Sequence, residues 1–155
     1  MRLQISTRLA IFAILELTAR EGRQLSVADI GEKYGVSSHH LAKVMHVMGR
    51  AGLVRSVRGA GGGYQFAGNA RRTTLLDVAL LFEELSSVEH DSGAANATPE
   101  DQALREVLNE IDDIACATLG SITIATMRKL VDRRGTNGGR RSKTDVPGRR
   151  NQSPH

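Results

Sequence analysis

The sequence of 155 residues lacks several features that would place it in common classes of protein. It has no tryptophan and one cysteine, Cys116, which excludes a disulfide within the chain. No apolar run approaches the ~20 residues needed to cross a membrane. Arg8, Glu16 and Arg20 interrupt the apolar stretch near the N-terminus, so we expect an amphipathic helix in a cytoplasmic protein rather than a signal peptide.

Signatures of catalysis are also missing. The sequence has no paired carboxylates in an apolar setting, no Ser-His-Asp arrangement with a recognisable nucleophile turn, and no zinc-binding spacing. A glycine-rich run occupies residues 59–63, but neither the Lys-Ser/Thr ending of a P-loop nor a strand-turn-helix GxGxxG unit accompanies it. We therefore predict that the protein is not an enzyme.

The net charge of +4 conceals a segregated distribution. Residues 1–75 carry 11 Lys/Arg and 4 Asp/Glu (+7), residues 76–134 carry 5 and 12 (−7), and residues 135–155 carry 5 and 1 (+4). A basic first half fits a nucleic-acid footprint, and an acidic second half should face away from DNA. Solvated surface charge is the common alternative explanation.

The most informative stretch starts at Val36 and predicts a helix capped by Ser37 or Ser38. Gly49 and Gly52 are predicted to end this helix. The opposite face is polar, and its first turns carry the kind of side chains that a helix in the major groove presents to base edges. The apolar residues recur at the spacing of one buried stripe: Leu41, Val44, Met45 and Met48.

Two preceding helices complete a helix-turn-helix. Residues 6–20 predict a first helix with Ser6 as its cap and an apolar face that includes Leu9, Phe12, Ala13 and Leu17. Ser26 and Asp29 resemble a capping box at the start of the second helix, and Gly35 is predicted to end it. A short turn then leads into the helix that follows Val36.

Two β-prone segments, 53–57 and 64–66, follow the helix-turn-helix and predict a hairpin, which we call the wing. Glycines at its tip allow the backbone to approach a phosphate, and Arg55 and Arg58 can reach phosphates or a narrow minor groove. A flexible turn with solvated arginines would also explain the glycine run. The combination of a capped helix, a glycine break and a basic wing favours DNA binding.

The second half predicts further helices. Thr74 and Asp77 form a capping pair before a run to Phe82, and Thr98-Pro99 begins a long helix to about Leu119. The long helix has an apolar stripe with heptad-like spacing, which we expect to pair with a second copy. Folding back on its own domain is the alternative. The stripe comprises Leu104, Val107, Leu108, Ile111 and Ile114, followed by Ala115.

The predicted fold class is mainly α with a small β-wing: a winged helix-turn-helix domain plus a long dimerisation helix. We assign residues 1–85 to the DNA-binding domain and 86–97 to a polar loop. Residues 98–134 are assigned to the dimerisation helix and a short following helix, and residues 135–155 to a disordered basic tail.

The order of these segments resembles the Rrf2 family of winged helix-turn-helix regulators, which includes the bacterial iron-sulfur cluster regulator and the nitric-oxide-sensing repressor. The resemblance covers roughly residues 1–131 and is most specific at Met1-Arg2-Leu3, Tyr34-Gly35-Val36-Ser37 and the segment 50–64. It implies a cytoplasmic homodimeric transcription factor, usually a repressor, that binds a palindromic operator in double-stranded DNA. The contacts it implies lie at Ser37, Ser38, His39, His40 and Lys43 in the helix, and at Arg55, Arg58, Gly61 and Gly62 in the wing.

The sequence departs from the family at the cluster-binding loop. Sensor members usually place three cysteines before or at the start of the long helix, whereas residues 88–101 contain none. Arg8 stands in the region where some nitric-oxide-sensing members use a carboxylate ligand. We therefore expect no cofactor, with His90, Cys116 and a residue of the other subunit as the alternative ligands of an iron-sulfur cluster or haem.

Three hypotheses on function result. The first, which the sequence favours, is a DNA-binding repressor that answers to a small molecule, a protein partner or oxidation of Cys116. The second is an iron-sulfur or haem-dependent regulator that senses redox state or nitric oxide through atypical ligands. The third is a protein-interaction module that has the winged fold and does not bind DNA.

Overall fold

A computed structural model describes residues 3–19, 22, 24–83 and 98–140. The described residues are mostly helical and include one small antiparallel sheet, which confirms the predicted fold class. None of the helices in these ranges combines the length and the apolar character that a membrane span requires. In chain order the elements are α1 (Ile5–Ala19), α2 (Val27–Tyr34), α3 (Ser38–Arg50), β1 (Val54–Val57), β2 (Gly63–Phe66), α4 (Leu75–Ala79), α5 (Pro99–Ser121) and α6 (Ile124–Arg140).

Local capping defines the helix-turn-helix formed by α2 and α3. The Ser26 hydroxyl accepts from the Asp29 backbone N at 3.1 Å, and the Asp29 carboxylate accepts from the Ser26 N at 3.0 Å, which confirms the capping box. Gly35 ends α2 in the left-handed region, at φ 64°. Ser37, rather than Ser38, caps α3, and its hydroxyl accepts from the His40 N at 3.2 Å.

The predicted apolar stripe of α3 packs into the core beside α1. On α1, Leu9, Ala13 and Leu17 are buried as predicted, and Phe12 is half-buried. Burying one large aliphatic side chain stabilises a fold by about 1.5–3 kcal/mol, so this stripe fixes the rotation of α3 about its axis. The four apolar side chains of this α3 stripe are at most 2% exposed: Leu41, Val44, Met45 and Met48.

The wing is joined to the helix-turn-helix by a contact that the sequence did not predict. Leu25 forms an isolated bridge with Tyr64 in β2. The Leu25 N donates to the Tyr64 carbonyl oxygen at 3.1 Å, and the Tyr64 N donates to the Leu25 carbonyl oxygen at 2.8 Å. The approach is close at Gly63, where an added Cβ would lie 2.5 Å from the Leu25 carbonyl oxygen. The segment before α2 therefore forms the outer edge of the wing sheet and requires glycine at position 63.

The α5–α6 pair is attached to the winged region at one junction. The Leu75 N donates to the Ile122 carbonyl at 2.8 Å, and the Ile124 N donates to the Thr73 carbonyl at 2.9 Å. Ile124 is fully buried in the core. The capping pair Thr74–Asp77 is confirmed, but α4 ends at Ala79 and turns replace the predicted helix up to Phe82.

The start of α1 also differs from the sequence-based expectation. Helix α1 begins at Ile5, so the prediction of Ser6 as its cap is wrong. The Glu83 carboxylate occupies this end instead, accepting from the Gln4 N at 2.7 Å and from the Thr7 hydroxyl at 2.5 Å. Because Glu83 is distant in sequence, a local reading could not find it.

Helix α6 continues to Arg140, past the boundary predicted at Arg134. Residues 135–140 are therefore helical, and the prediction that they belong to a disordered tail is wrong. Residues 141–155 and the whole of the predicted loop 86–97 lie outside the described residues. The division into domains otherwise stays a prediction.

Glu16 on α1 links the first helix to the end of α2. Its carboxylate accepts from the Lys33 ammonium and, at 2.7 Å, from the Tyr34 hydroxyl, while Phe12 stacks on the Tyr34 ring at 4.9 Å. Burial raises the pKa of the Glu16 carboxyl, but the hydrogen bonds from Lys33 and Tyr34 and the charges of Lys33 and Arg128 outweigh it, so the pKa lies below its ordinary value. Burial and the bonded carboxylate raise the pKa of Tyr34.

Replacing Glu16 by Gln should lower the free energy of unfolding by roughly 1 kcal/mol near neutral pH, since a partly exposed charged hydrogen-bond network is lost. The folded-state pKa of Glu16 is depressed, so its contribution is present above pH 4.5, the ordinary pKa, and is lost as the pH falls through the folded-state pKa. Urea unfolding at a series of pH values should show the two proteins converging in acid. Glu110→Gln, an exposed position on α5, is the control. A difference that stays constant into strong acid would contradict this account.

Candidate nucleic-acid interface

Helix α3 presents a polar face opposite its buried stripe. Ser38, His39 and Lys43 are exposed, and His40 is half-buried. Within the described ranges, the side chains of His39 and Lys43 have no hydrogen bond or ion pair. They project from the N-terminal half of α3, the end at which a helix dipole favours an anion.

Ser37 has a structural task that the sequence left open. Its hydroxyl oxygen accepts the backbone N–H of His40 and so holds the first turn of α3. An N-cap of this kind stabilises a helix by about 1 kcal/mol. Ser37 therefore positions the exposed side chains that follow it.

The tip of the wing is a defined turn. Strands β1 and β2 pair antiparallel from Val54↔Phe66 to Val57↔Gly63. The Gly62 N donates to the Gly59 carbonyl at 2.9 Å, and a Cβ added at Gly62 would lie 2.7 Å from the Val57 carbonyl oxygen. Gly59 and Gly61 have φ angles of 118° and 76°, which favour glycine. The shape of the tip thus explains its composition.

The two wing arginines differ in their surroundings. Arg58 is exposed and has no partner among the described residues. Arg55 donates to the Gln65 amide oxygen from Nε at 3.1 Å and from Nη2 at 2.8 Å, and the Gln65 Nε2 donates to the Gly22 carbonyl at 3.3 Å. A neutral amide holds Arg55 in place without neutralising its charge. From the sequence alone, the two arginines were expected to have the same role.

The wing tip lies beside the start of α2. An open concavity of about 590 Å³ separates them, lined by Gln24, Ser26 and Asp29 on one side and by Ala60, Gly61 and Gly62 on the other. Helix-turn-helix and wing are therefore neighbouring parts of one surface. The residues that line the concavity between them are small or polar.

The residues considered as metal ligands are not brought together in the described part of the chain. Cys116 is half-buried on α5, and His90 lies outside the described residues. Within the described ranges no group of three or more His, Cys, Asp or Glu side chains has a geometry that could hold a metal ion. Arg8 is exposed, with its guanidinium carbon 5.9 Å from the centre of the Phe12 ring.

Sequence reasoning missed the residues that position the interface. Gln65 faces Arg55 because the two are register partners, so a correct alignment of the hairpin would have found this pair. The contact between Gly63 and Leu25 joins segments on either side of α2 and α3 and leaves no local signal. The missed residues are those that act between elements.

Comparison with known proteins agrees with this architecture. A model of the Rrf2 family, described as an iron-dependent transcriptional regulator, matches residues 3–129. BadM of Rhodopseudomonas palustris, which carries the name of an HTH-type transcriptional regulator, is 46% identical over 144 residues. The match covers 89% of this chain and 92% of BadM.

Two solved structures have a similar fold. CymR, the global cysteine regulator of B. subtilis, gives a TM-score of 0.70 at 26% identity and covers 84% of this chain and 98% of CymR. IscR of T. potens gives a TM-score of 0.60 at 24% identity, with 95% and 94% covered, and shows likeness of fold alone. Since the family model and BadM match most of its length, the chain belongs to the Rrf2 family of DNA-binding transcriptional regulators.

Proposed function

We propose that the protein is a homodimeric repressor that acts in the cytoplasm and binds a palindromic operator. Helix α3 enters the major groove, and the wing contacts the adjacent backbone or minor groove. The observation that carries this proposal is the polar face of α3, where His39 and Lys43 have no side-chain partner among the described residues, on the same domain as the exposed wing arginine Arg58.

The proposed contacts divide into two kinds. Ser38, His39, His40 and Lys43 lie where side chains of α3 reach base edges, and so contribute to sequence readout. The wing residues contact phosphates, which give affinity without sequence preference. Supporting residues complete the interface: Ser37 caps α3, Arg55 and Arg58 supply charge, Gly61 allows close approach, and Gly62 closes the turn.

Replacing Arg58 by Ala should weaken binding to every DNA sequence and reduce the slope of log affinity against log salt by about one unit, because one phosphate contact is lost. Fluorescence anisotropy with duplexes over a range of salt concentrations measures both quantities. Arg105→Ala removes the same charge from the acidic helix α5 and serves as the control. Wild-type affinity and slope in Arg58→Ala would show that the wing assignment is wrong.

The dimer proposal rests on the exposed apolar stripe of α5. No residue of α5 is buried, and the helix meets its own domain near its C-terminal end, where Leu119 packs on the core and the Leu76 side chain lies near Gly120. These facts favour a second copy over packing of α5 on its own domain. Exposed fractions along the stripe are Leu104 59%, Val107 55%, Leu108 48%, Ile111 55% and Ile114 60%.

A second copy of this chain is the simplest partner that could bury the stripe. An uncovered row of large apolar side chains is rare on monomeric proteins and usually marks an interface. Two-fold pairing of α5 would place two copies of α3 in one assembly, as a palindromic operator requires. The acidic side chains of α5 would then lie near the dimer interface and far from the bound DNA.

The variant Ile111→Glu should convert the protein to a monomer, since it places a charge in the proposed apolar interface. Its own domain should remain folded, because the side chain is already 55% exposed in the single chain. Sedimentation equilibrium measures the mass, and binding to full and half operators measures the consequence. We expect loss of affinity for the full site and little change for the half site.

Glu110→Gln, at the adjacent position outside the stripe, is the matched control and should remain dimeric. A dimer of Ile111→Glu as stable as that of the wild type would contradict the assignment of α5. A wild-type protein that sediments as a monomer at micromolar concentration would contradict the dimer itself.

We also propose that the regulator has no resident iron-sulfur cluster. Such clusters are held by four ligands, usually thiolates, and each chain has one cysteine, so a dimer supplies two. Iron and sulfide analysis of protein purified without oxygen should give far less than one cluster per dimer. Stoichiometric iron with visible absorbance would instead support the alternative, an iron-sulfur or haem-dependent sensor with ligands that include His90 and Cys116.

A further inference from the structure

A second cavity, of about 490 Å³, lies where the base of the wing meets the end of α1 and the start of α6. Part of its wall is apolar and includes Leu17, Phe66 and Ala125. Three arginines also line it, and no acidic residue of the described chain does: the arginines are Arg55, Arg71 and Arg128. Clefts lined by charge of one sign concentrate ions of the opposite sign.

The three guanidinium groups are compensated to different degrees. Arg128 donates to the Leu15 carbonyl at 3.3 Å and lies 3.1 Å from the Asp132 carboxylate, which offsets its charge. Arg55 is bonded to the neutral amide of Gln65. Arg71 has no side-chain partner among the described residues. Two positive charges therefore face the cavity region without a bonded carboxylate from the described part of the chain.

We propose that this cavity binds a small organic anion, a carboxylate carried on an apolar body, and that this anion is the effector of the regulator. The volume lies within the range of sites for small molecules. Guanidinium groups bind carboxylates through paired hydrogen bonds, and the apolar wall can take the rest of the molecule. The effector role rests on the proposed function, whereas the binding site does not.

The position of Arg55 connects the cavity to DNA binding. Arg55 belongs to β1, and the chain of contacts from Arg55 through Gln65 to Gly22 fixes the wing to the segment after α1. A carboxylate that takes the Arg55 guanidinium competes with Gln65 and makes this arginine unavailable to a DNA phosphate. Ligand and DNA therefore oppose each other, and by linkage the ligand lowers DNA affinity by the same factor by which DNA lowers ligand affinity.

Binding is tested on the full-length, DNA-free protein by isothermal titration calorimetry with octanoate. Octan-1-ol of the same chain length lacks the charge, and inorganic phosphate lacks the apolar body. We expect octanoate to bind at least about tenfold more tightly than either, a difference of about 1.4 kcal/mol. Arg71→Gln should weaken octanoate binding by at least about tenfold, since a fork of charged donors is removed.

Two further variants make the test specific. Arg72→Gln removes the neighbouring exposed arginine, which does not line the cavity, and should bind octanoate as the wild type does. Ala125→Leu fills the cavity without changing its charge and should abolish binding. Absence of octanoate binding, or equal losses in Arg71→Gln and Arg72→Gln, would overturn the proposal. Phosphate binding as tight as octanoate binding would assign the arginines to DNA phosphates and also overturn it.

The effector role is measured separately, as the change in affinity for duplex DNA when octanoate is added. We expect octanoate to weaken DNA binding of the wild type and to leave that of Ala125→Leu unchanged. Octanoate binding with unchanged DNA affinity would overturn the effector role. A protein that binds octanoate but no DNA would contradict the proposed function, while the DNA-free titration would still establish the cavity.

Discussion

The packing of α3 against α1 determines which side chains of α3 face outward, where we propose that they meet DNA. Its four apolar side chains are almost fully buried, and a helix can turn only one face to the core. Rotating α3 by one residue, so that positions 40, 43, 44 and 47 face the core, would bury Lys43 without a partner, at a cost of several kcal/mol. The polar face is therefore presented outward by the same contacts that stabilise the domain.

The wing and the long helix are placed by different means. The wing is held to the helix-turn-helix by the bridge between Leu25 and Tyr64 and by the contacts of Gln65. The α5–α6 pair is held by the bridge between Thr74 and Thr123 and by the buried Ile124. This arrangement secures one end of α5 and leaves its apolar stripe exposed. In our proposal, each domain reads half of an operator and α5 brings the halves together.

Much of the fold could be predicted because its signals are local. Capping boxes such as Ser26–Asp29, the apolar periodicity of α3 and the glycines of the wing are each encoded within a few residues. The missed features join distant segments: Glu83 at the start of α1, Gly63 beside Leu25, and the charged cavity, to which four separate segments contribute. The extension of α6 past Arg134 was missed because glycine is a poor helix former, so Gly135 was expected to lie outside the helix.

The most direct test of the account is selection of binding sites from random-sequence duplex DNA with the full-length protein, followed by sequencing. Two copies of α3 related by a two-fold axis should select an inverted repeat whose half-sites are separated by about one helical turn or a multiple of it. The affinity for this repeat should exceed that for scrambled DNA by at least about a thousandfold. Enrichment of a single, non-repeated site would contradict the dimer, and no enrichment at all would contradict sequence readout by α3.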